Sequence, residues 1–312
     1  MTASPRQVYW DSLVALAKQD ERVVCLDSDM GGLEKTFGAA FPDRYVNVGI
    51  AEANLFSVAA GMAARGHIPY VHTMATFAST RACEQLKLDI AGTGLPVRVV
   101  ASHGGLSAAH FGTTHWALED FAVTRALPTL TVVVPADAEE IPTLLPQIHE
   151  LPGPAYLRLG RSATPAVHEH DVRLGRATRL REGRDATVVA CGPYPTLMAL
   201  EAADRAAEDG LELGVLGIHT LAPLDADAVL DAARRTGALV TVEEHRPTGG
   251  LGDAVAEVTG AHAPCPIVRV AVGDPLPDTV QEHRRLLELT GVSTDAVLAA
   301  VRRVTAHPKG GQ

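Results

Sequence analysis

The run Tyr45-Val46-Asn47-Val48-Gly49-Ile50-Ala51-Glu52-Ala53-Asn54 passes from a β-rich stretch, Tyr45 to Val48, straight into a helix of small residues from Leu55 to Arg65. A strand feeding a helix is half of a βα unit, so this run sets the fold class. Glu52 stands at the junction. An acid in the first turn of a helix is favoured by the helix dipole, and that is the ordinary account of a lone Glu there. The alternative is a carboxylate held in the crevice beyond the carboxyl end of a parallel strand, where open α/β sheets bind ligands. The flanking sequence decides between them.

Upstream, Val8, Leu13, Leu16 and Ala17 have helical spacing. They are followed by a buried strand, Arg22 to Asp27, that ends in the polar turn Ser28-Asp29-Met30-Gly31-Gly32. Downstream, Ile68 to Thr73 is a third strand. It leads through Met74-Ala75-Thr76-Phe77 into a helix expected over Thr80 to Ala91. Leu95 to Ala101, Leu130 to Val134 and Ala155 to Leu159 read as further strands, and His115 to Arg125 reads as a helix. The rhythm lapses over 162–183. It resumes with the strands Ala186 to Gly192, Leu213 to Ile218, Leu239 to Glu243 and Ile267 to Val272, separated by helices. Short apolar strands alternating with helices predict an α/β protein of two domains, each a mostly parallel sheet with helices on both faces. The expected boundaries are a first domain over 1–161, a linker over 162–183, a second domain over 184–305 and a frayed tail over 306–312.

The chain of 312 residues is long enough for two domains. Aromatics make up only 4%, so the core must be built mostly of Ala, Val and Leu. A net charge of −10 argues against nucleic acid as a partner. Cys25, Cys83, Cys191 and Cys265 are too scattered for a zinc site or a disulfide framework, and no metal ligands are assigned to this chain. Cys25 and Cys191 lie in apolar runs and read as inert core residues. The first ten residues lack the layout of a signal peptide and no apolar run reaches membrane-spanning length. A cytoplasmic protein without a membrane partner is expected.

Several residues gather at expected strand ends. His103 follows the fourth strand in Ser102-His103-Gly104-Gly105, and His115 closes the loop beyond it. A single His is more often a surface or core residue. Two of them, with Glu52 and Asp29 on neighbouring strand ends, form a rim of donors, acceptors and a carboxylate. His110 lies between the two without independent support. Arg6, Arg158 and Arg161 suit solvated surface positions, but Arg161 follows a strand end, where a guanidinium is suited to phosphate. Phe77 suits core packing, or a stacking face for a flat ring. His168 and His170 fall in the expected linker and read as solvent-exposed. Gly249-Gly250-Leu251-Gly252-Asp253 could cradle an anion on backbone amides, but it lacks the full glycine fingerprint and reads better as a structural helix start.

Taken together, Gly49-Ile50-Ala51-Glu52-Ala53-Asn54 resembles a signature of the transketolase pyrimidine domain. The resemblance continues in order through Thr73-Met74-Ala75-Thr76-Phe77, Arg81-Ala82-Cys83-Glu84-Gln85, Ser102-His103-Gly104-Gly105, Ala117-Leu118-Glu119-Asp120 and Val134-Pro135-Ala136-Asp137. Val242-Glu243-Glu244-His245 and Gly249-Gly250-Leu251-Gly252 are similar to the family's C-terminal domain, so the resemblance runs from Arg6 to Val304. The family's diphosphate-binding domain, with its GDG…N metal motif, has no counterpart, since Gly273-Asp274-Pro275 is not one. The sequence is therefore similar to the C-terminal subunit of a split transketolase. That implies an N-terminal partner subunit supplying the diphosphate and Mg²⁺ sites, thiamine diphosphate bound between subunits, and a two-plus-two heterotetramer. The second domain is expected mainly to make subunit contacts.

By the same resemblance, Glu52 matches the acid that hydrogen-bonds the aminopyrimidine nitrogen of thiamine diphosphate, and Phe77 matches the aromatic stacked on that ring. Arg6, His103 and Arg161 match contacts to a substrate phosphate. His115 matches a position near the reacting carbons, and Asp29 an acid near the subunit contact. Three positions depart from the pattern. The family's G-E-D-G loop reads Ala109-His110-Phe111-Gly112, so Phe111 replaces an Asp that contacts substrate hydroxyls. Leu33 stands where a phosphate-binding Ser is common, and Met74 replaces a second aromatic beside the cofactor. Loss of a hydroxyl's partner changes selectivity strongly. The implied activity is two-carbon ketol transfer between a ketose and an aldose phosphate, with an unusual or modified sugar. The rival readings are the β subunit of a 2-oxo-acid dehydrogenase, a deoxyxylulose phosphate synthase-like carboligase and a non-catalytic scaffold subunit.

Overall fold

The computed structural model describes residues 4–167 and 172–306. The strands in chain order are β1 (Val23–Asp27), β2 (Tyr45–Asn47), β3 (Ile68–Met74), β4 (Arg98–Ser102), β5 (Thr131–Val133), β6 (Ala155–Arg158), β7 (Thr178–Arg181), β8 (Ala186–Cys191), β9 (Leu213–Gly217), β10 (Thr220–Ala222), β11 (Leu239–Glu243) and β12 (Ile267–Val270). They form a seven-stranded sheet ordered β10-β5-β6-β4-β3-β1-β2 and a five-stranded sheet ordered β12-β11-β8-β9-β7. Each is parallel except at one edge, where β10 runs antiparallel to β5 and β7 antiparallel to β9.

These elements follow from local chemistry. Every residue of β1, β8, β9 and β11 is buried, which is why these strands read as continuous apolar runs. The Pro5–Ala17 helix starts on a proline and buries Tyr9, Leu13 and Ala17, spaced four apart on one face. Each such Leu or Val contributes about 1.5–3 kcal/mol by leaving water. The core does not stop between the sheets. Val132 and Val134, on and just beyond β5, pack in one apolar cluster with Val189, Cys191 and Leu216 of the second sheet.

The structure differs from the sequence reading at several points. The helix expected over His115 to Arg125 begins only at Asp120, and His115 closes a short 3₁₀ turn, Thr113–His115. The helix expected over Thr80 to Ala91 is broken: Phe77 lies inside a short helix, Ala75–Ser79, and Leu86–Ala91 forms a π turn. The stretch 162–183, expected to be a linker, carries the edge strand β7. β10 belongs by sequence to the expected second domain but pairs in the first sheet. Two helices that the sequence reading does not assign, His283–Leu289 and Thr294–Thr305, cover part of the second sheet. His168 and His170, and the tail from residue 307, lie outside the described residues.

The strand order sets the site. Read across the first sheet, the carboxyl ends of β6, β4, β3, β1 and β2 lie side by side. The segments leaving them carry Arg161, His103, Phe77, Asp29 and Glu52 respectively.

Candidate active site

Glu52 is the first residue of the Glu52–Ala64 helix, and only 2% of it is exposed. Its Oε2 accepts a hydrogen bond from Arg81 Nη1 at 2.9 Å. The Arg81 guanidinium lies 4.2 Å from the centroid of the Phe77 ring. A row of rings continues from there. Phe77 meets His115 edge-on at 5.3 Å, and His115 stacks on Phe111 at 4.8 Å. Phe111 tilts against His110 at 4.0 Å and meets His103 edge-on at 6.3 Å. The row ends where Arg161 Nη1 stands 2.6 Å from His110 Nδ1. Residues from four strand ends are thus joined in an unbroken series of contacts, from a buried carboxylate to an exposed guanidinium.

His103 is buried and sits in a left-handed backbone conformation, φ 57°, which turns the chain as it leaves β4. Its Nδ1 lies 2.9 Å from Ser102 Oγ, so Nε2 is the ring nitrogen that no described residue engages. Burial pushes the His103 pKa down to about 4, reinforced by the charged guanidiniums of Arg161 and Arg6 and further lowered by the neighbouring His110 and His115. The ring is therefore neutral at neutral pH and can donate or accept a single proton at a ligand. His110 is likewise pushed below its ordinary range, by loss of hydration and by Arg161 and His115. A neutral ring is what a guanidinium neighbour requires, since Arg can only donate. Gly112, at φ 78°, lets the loop turn back toward His115. Phe111 keeps 45% of its surface in solvent, so its ring is open to a ligand.

The other expected site residues are spread around this row. Arg6 lies over the Trp10 ring at 4.8 Å and lines a pocket with Leu33, Thr73 and Ser102. Leu33 is buried there and presents no donor. Met74 ends β3, half-buried beside Phe77 in sequence. Asp29, at φ 65°, is exposed and accepts a hydrogen bond from Asn47 Nδ2 at 3.2 Å, apart from the ring row. Arg158 proves to be no surface charge. It is buried and ion-paired with Asp120 at 2.8 Å. The glycine loop at 249–252 holds no free cradle, because Glu243 accepts the Leu251 and Gly252 amide hydrogens at 2.6 and 2.8 Å. Cys25 and Cys191 are buried, free thiols.

Two members of the row carry no role in the sequence reading. Arg81 enters there only within a motif, and His110 only as a neighbour of the other loop histidines. Arg81 stands four residues beyond Phe77, one helical turn in spacing, and that is the available signal. His110 has none, because its partner Arg161 is distant in sequence.

Comparison with known proteins identifies the family of the chain. The family model of the transketolase pyrimidine binding domain matches residues 2–167, and that of the transketolase C-terminal domain matches residues 175–297. A 6-deoxy-6-sulfo-D-fructose transketolase subunit from Clostridium sp. (strain MSTE9) is 41% identical over 306 residues, covering 96% of this chain and 94% of that protein. A subunit of an apulose-4-phosphate transketolase from Phocaeicola vulgatus is 35% identical over 274 residues, covering 86% of this chain and 87% of that protein. A solved split-gene transketolase, an inactive β4 tetramer, superposes with a TM-score of 0.90 at 40% identity, covering 97% of this chain and 98% of that one. The chain belongs to the transketolase family and joins its pyrimidine-binding and C-terminal domains in the manner of a split-gene subunit.

Proposed function

We propose that this chain is the C-terminal subunit of a thiamine diphosphate-dependent transketolase, moving a two-carbon ketol unit between a ketose and an aldose phosphate, one of them a modified sugar. The observation that carries the proposal is the row from Glu52 through Phe77, His115 and Phe111 to Arg161. It gives a cofactor end and an anion end across the carboxyl ends of one sheet's strands. The cofactor end fits a flat ring bearing N–H groups. Arg81 already makes both contacts that such a ring needs, a hydrogen bond to the buried Glu52 carboxylate and a stacking contact on Phe77. When bound, thiamine diphosphate supplies the carbon nucleophile that attacks the ketose. Glu52 would hold the pyrimidine nitrogen, and Phe77 with Met74 would pack on the ring. His103 and His115, neighbours of Phe111 on the loop, would hold or move protons at the sugar oxygens. Arg6 and Arg161, with neutral His103, would orient the distal anion. The diphosphate and Mg²⁺ are assigned to an N-terminal partner in a two-plus-two heterotetramer, with Asp29 near the contact between subunits. The setting is cytoplasmic; among the described residues no helix is long and apolar enough to cross a membrane.

The modified sugar is supported by Phe111 and Leu33, which offer apolar surface where hydrogen-bonding groups would serve an ordinary sugar phosphate. Two relatives carry substrate names other than the ordinary pentose phosphates, 6-deoxy-6-sulfo-D-fructose and apulose 4-phosphate. The test is calorimetry of thiamine diphosphate and Mg²⁺ with the chain alone and with its N-terminal partner, followed by substrate screening of the complex. Tight binding only in the complex is expected. Tight binding to this chain alone refutes the split site, and full activity on xylulose 5-phosphate with ribose 5-phosphate refutes the modified substrate.

A further inference from the structure

We propose that the second domain positions the substrate loop, through a clamp formed by Glu244, His245 and Arg246 just beyond β11, with Glu244 as its principal positioning residue. The inference rests on the transketolase reading above. The loop leaves β4 at His103 and returns at Glu119, and its two legs are tied together by reciprocal hydrogen bonds between Gly105 and Ala117, at 3.2 and 2.9 Å. The clamp grips both legs. Glu244 Oε1 accepts the Leu106 amide hydrogen at 2.6 Å on the outgoing leg. The Arg246 amide donates to the Leu118 carbonyl at 3.0 Å on the returning leg, and His245 Nε2 accepts from the Ala122 amide at 3.3 Å just beyond it. Buried Arg158 spans the junction, donating from one nitrogen to the carbonyls of Ala117 and Glu244, each at 3.0 Å.

The fit is tight enough to fix the residue types. Gly105 has φ 61°, and a Cβ there would stand 2.3 Å from the Glu244 carboxyl carbon. The carboxylate therefore lies flat against the loop backbone. The same Oε1 is met at 2.5 Å by His283 Nε2, also from the second domain. Glu244 and His283 are both buried, so little water competes for these bonds. All the grips lie at the base of the loop, whereas His110, Phe111 and His115 project from its tip. The base sets the course of both legs, while Arg161 and Phe77 contact His110 and His115 farther out. His283 also lines, with Gln281, the far wall of the cleft that His110 and Arg161 line on the near side. The second domain thus faces the anion end as well as holding the loop.

The test uses the reconstituted two-subunit complex with Glu244→Ala, Glu244→Gln and Gly105→Ala. An error of about 1 Å in placing substrate-binding groups costs roughly 100-fold. Glu244→Ala is expected to lower kcat/KM by about that factor, mainly through KM for the sugar substrates, with thiamine diphosphate affinity unchanged. Glu244→Gln, whose amide oxygen can still accept from Leu106, is expected to restore most of it. Hydrogen exchange at 104–112 is expected to quicken in Glu244→Ala and not in Glu244→Gln. Gly105→Ala, whose methyl displaces the carboxylate, should reproduce the Glu244→Ala split and decides the matter if that variant does not fold. Unchanged kcat/KM and loop exchange overturn the clamp, as does an equal loss of cofactor affinity. A wild-type complex with no ketol transfer on any sugar overturns the transketolase reading instead, while loop exchange still tests the clamp.

Discussion

Phe111→Asp places a carboxylate where Phe111 now touches all three loop histidines. The cost in folding is small. Phe111 is already 45% exposed, so about half of the ~1.5–3 kcal/mol of a buried aromatic is at stake, roughly 1 kcal/mol. The electrostatic effect is larger. The Phe111 and His103 ring centroids are 6.3 Å apart. A charge pair at ~6 Å in an effective dielectric of ~20 is worth roughly 3 kcal/mol, and solvent on the open side of the loop weakens it. The sign opposes the present field. His103 is held down to about 4 by burial and by its cationic neighbours, and an added anion lifts it to roughly 5–6. NMR titration of the His103 ring in the isolated chain reads this directly. In the reconstituted complex, the acid limb of the kcat/KM profile should move up with it. A carboxylate can also accept from a sugar hydroxyl, so activity on xylulose 5-phosphate with ribose 5-phosphate should rise about 10–100-fold relative to a deoxygenated or otherwise modified sugar. If His103 titrates where it did before and the preference between sugars is unchanged, the assignment of Phe111 to the substrate face is wrong.

Glu52→Ala should leave circular dichroism unchanged while kcat of the complex falls about 10²–10⁴-fold; wild-type turnover would indicate a scaffold subunit. Arg158→Ala strands Asp120, which is fully buried, and should cost about 3–5 kcal/mol in urea unfolding. Glu243 gives a pH signature. Burial pushes it up to about 7 from 4.5, against the lowering effect of the Gly252 and Leu251 amides. A carboxyl raised in the folded state contributes stability that is complete below about pH 4.5 and is lost as the pH rises to about 7. Denaturant unfolding at pH 5 and pH 7.5 should therefore show wild type losing up to roughly 3 kcal/mol more than Glu243→Gln over that interval.

Much of the fold was legible because parallel strands buried on both faces leave long apolar runs, as at Val23 to Asp27 and Ala186 to Cys191. The sheet edges were not legible for the opposite reason. β7 reads Thr178-Arg179-Leu180-Arg181, half-exposed and charged, and β10 is three residues long. Both are strands only because a distant neighbour offers them hydrogen bonds. His115 looked helical because apolar residues follow it, but the loop closes on Gly112 and the helix waits for Asp120. At the site, single residues at strand ends could be read one by one. Pairings could not: Glu52 with Arg81, Arg161 with His110 and Leu106 with Glu244 are separated by 29, 51 and 138 positions, distances that local patterning does not bridge.

β10 changes what counts as a removable module. Thr220 and Ala222 pair with Val133 and Val132, and the Val134 amide donates to the His219 carbonyl at 2.8 Å. A fragment ending anywhere before residue 219 would expose the outer edge of β5, a short apolar strand suited to pairing with another chain. The pyrimidine domain expressed by itself should therefore tend to aggregate. A chimera that exchanges C-terminal domains between relatives would need a join that keeps 219–222 with the first sheet. Cutting at the seam between the two sheets is the obvious choice from the domain plan, and it would fail. The sequence boundary and the boundary of folding lie in different places.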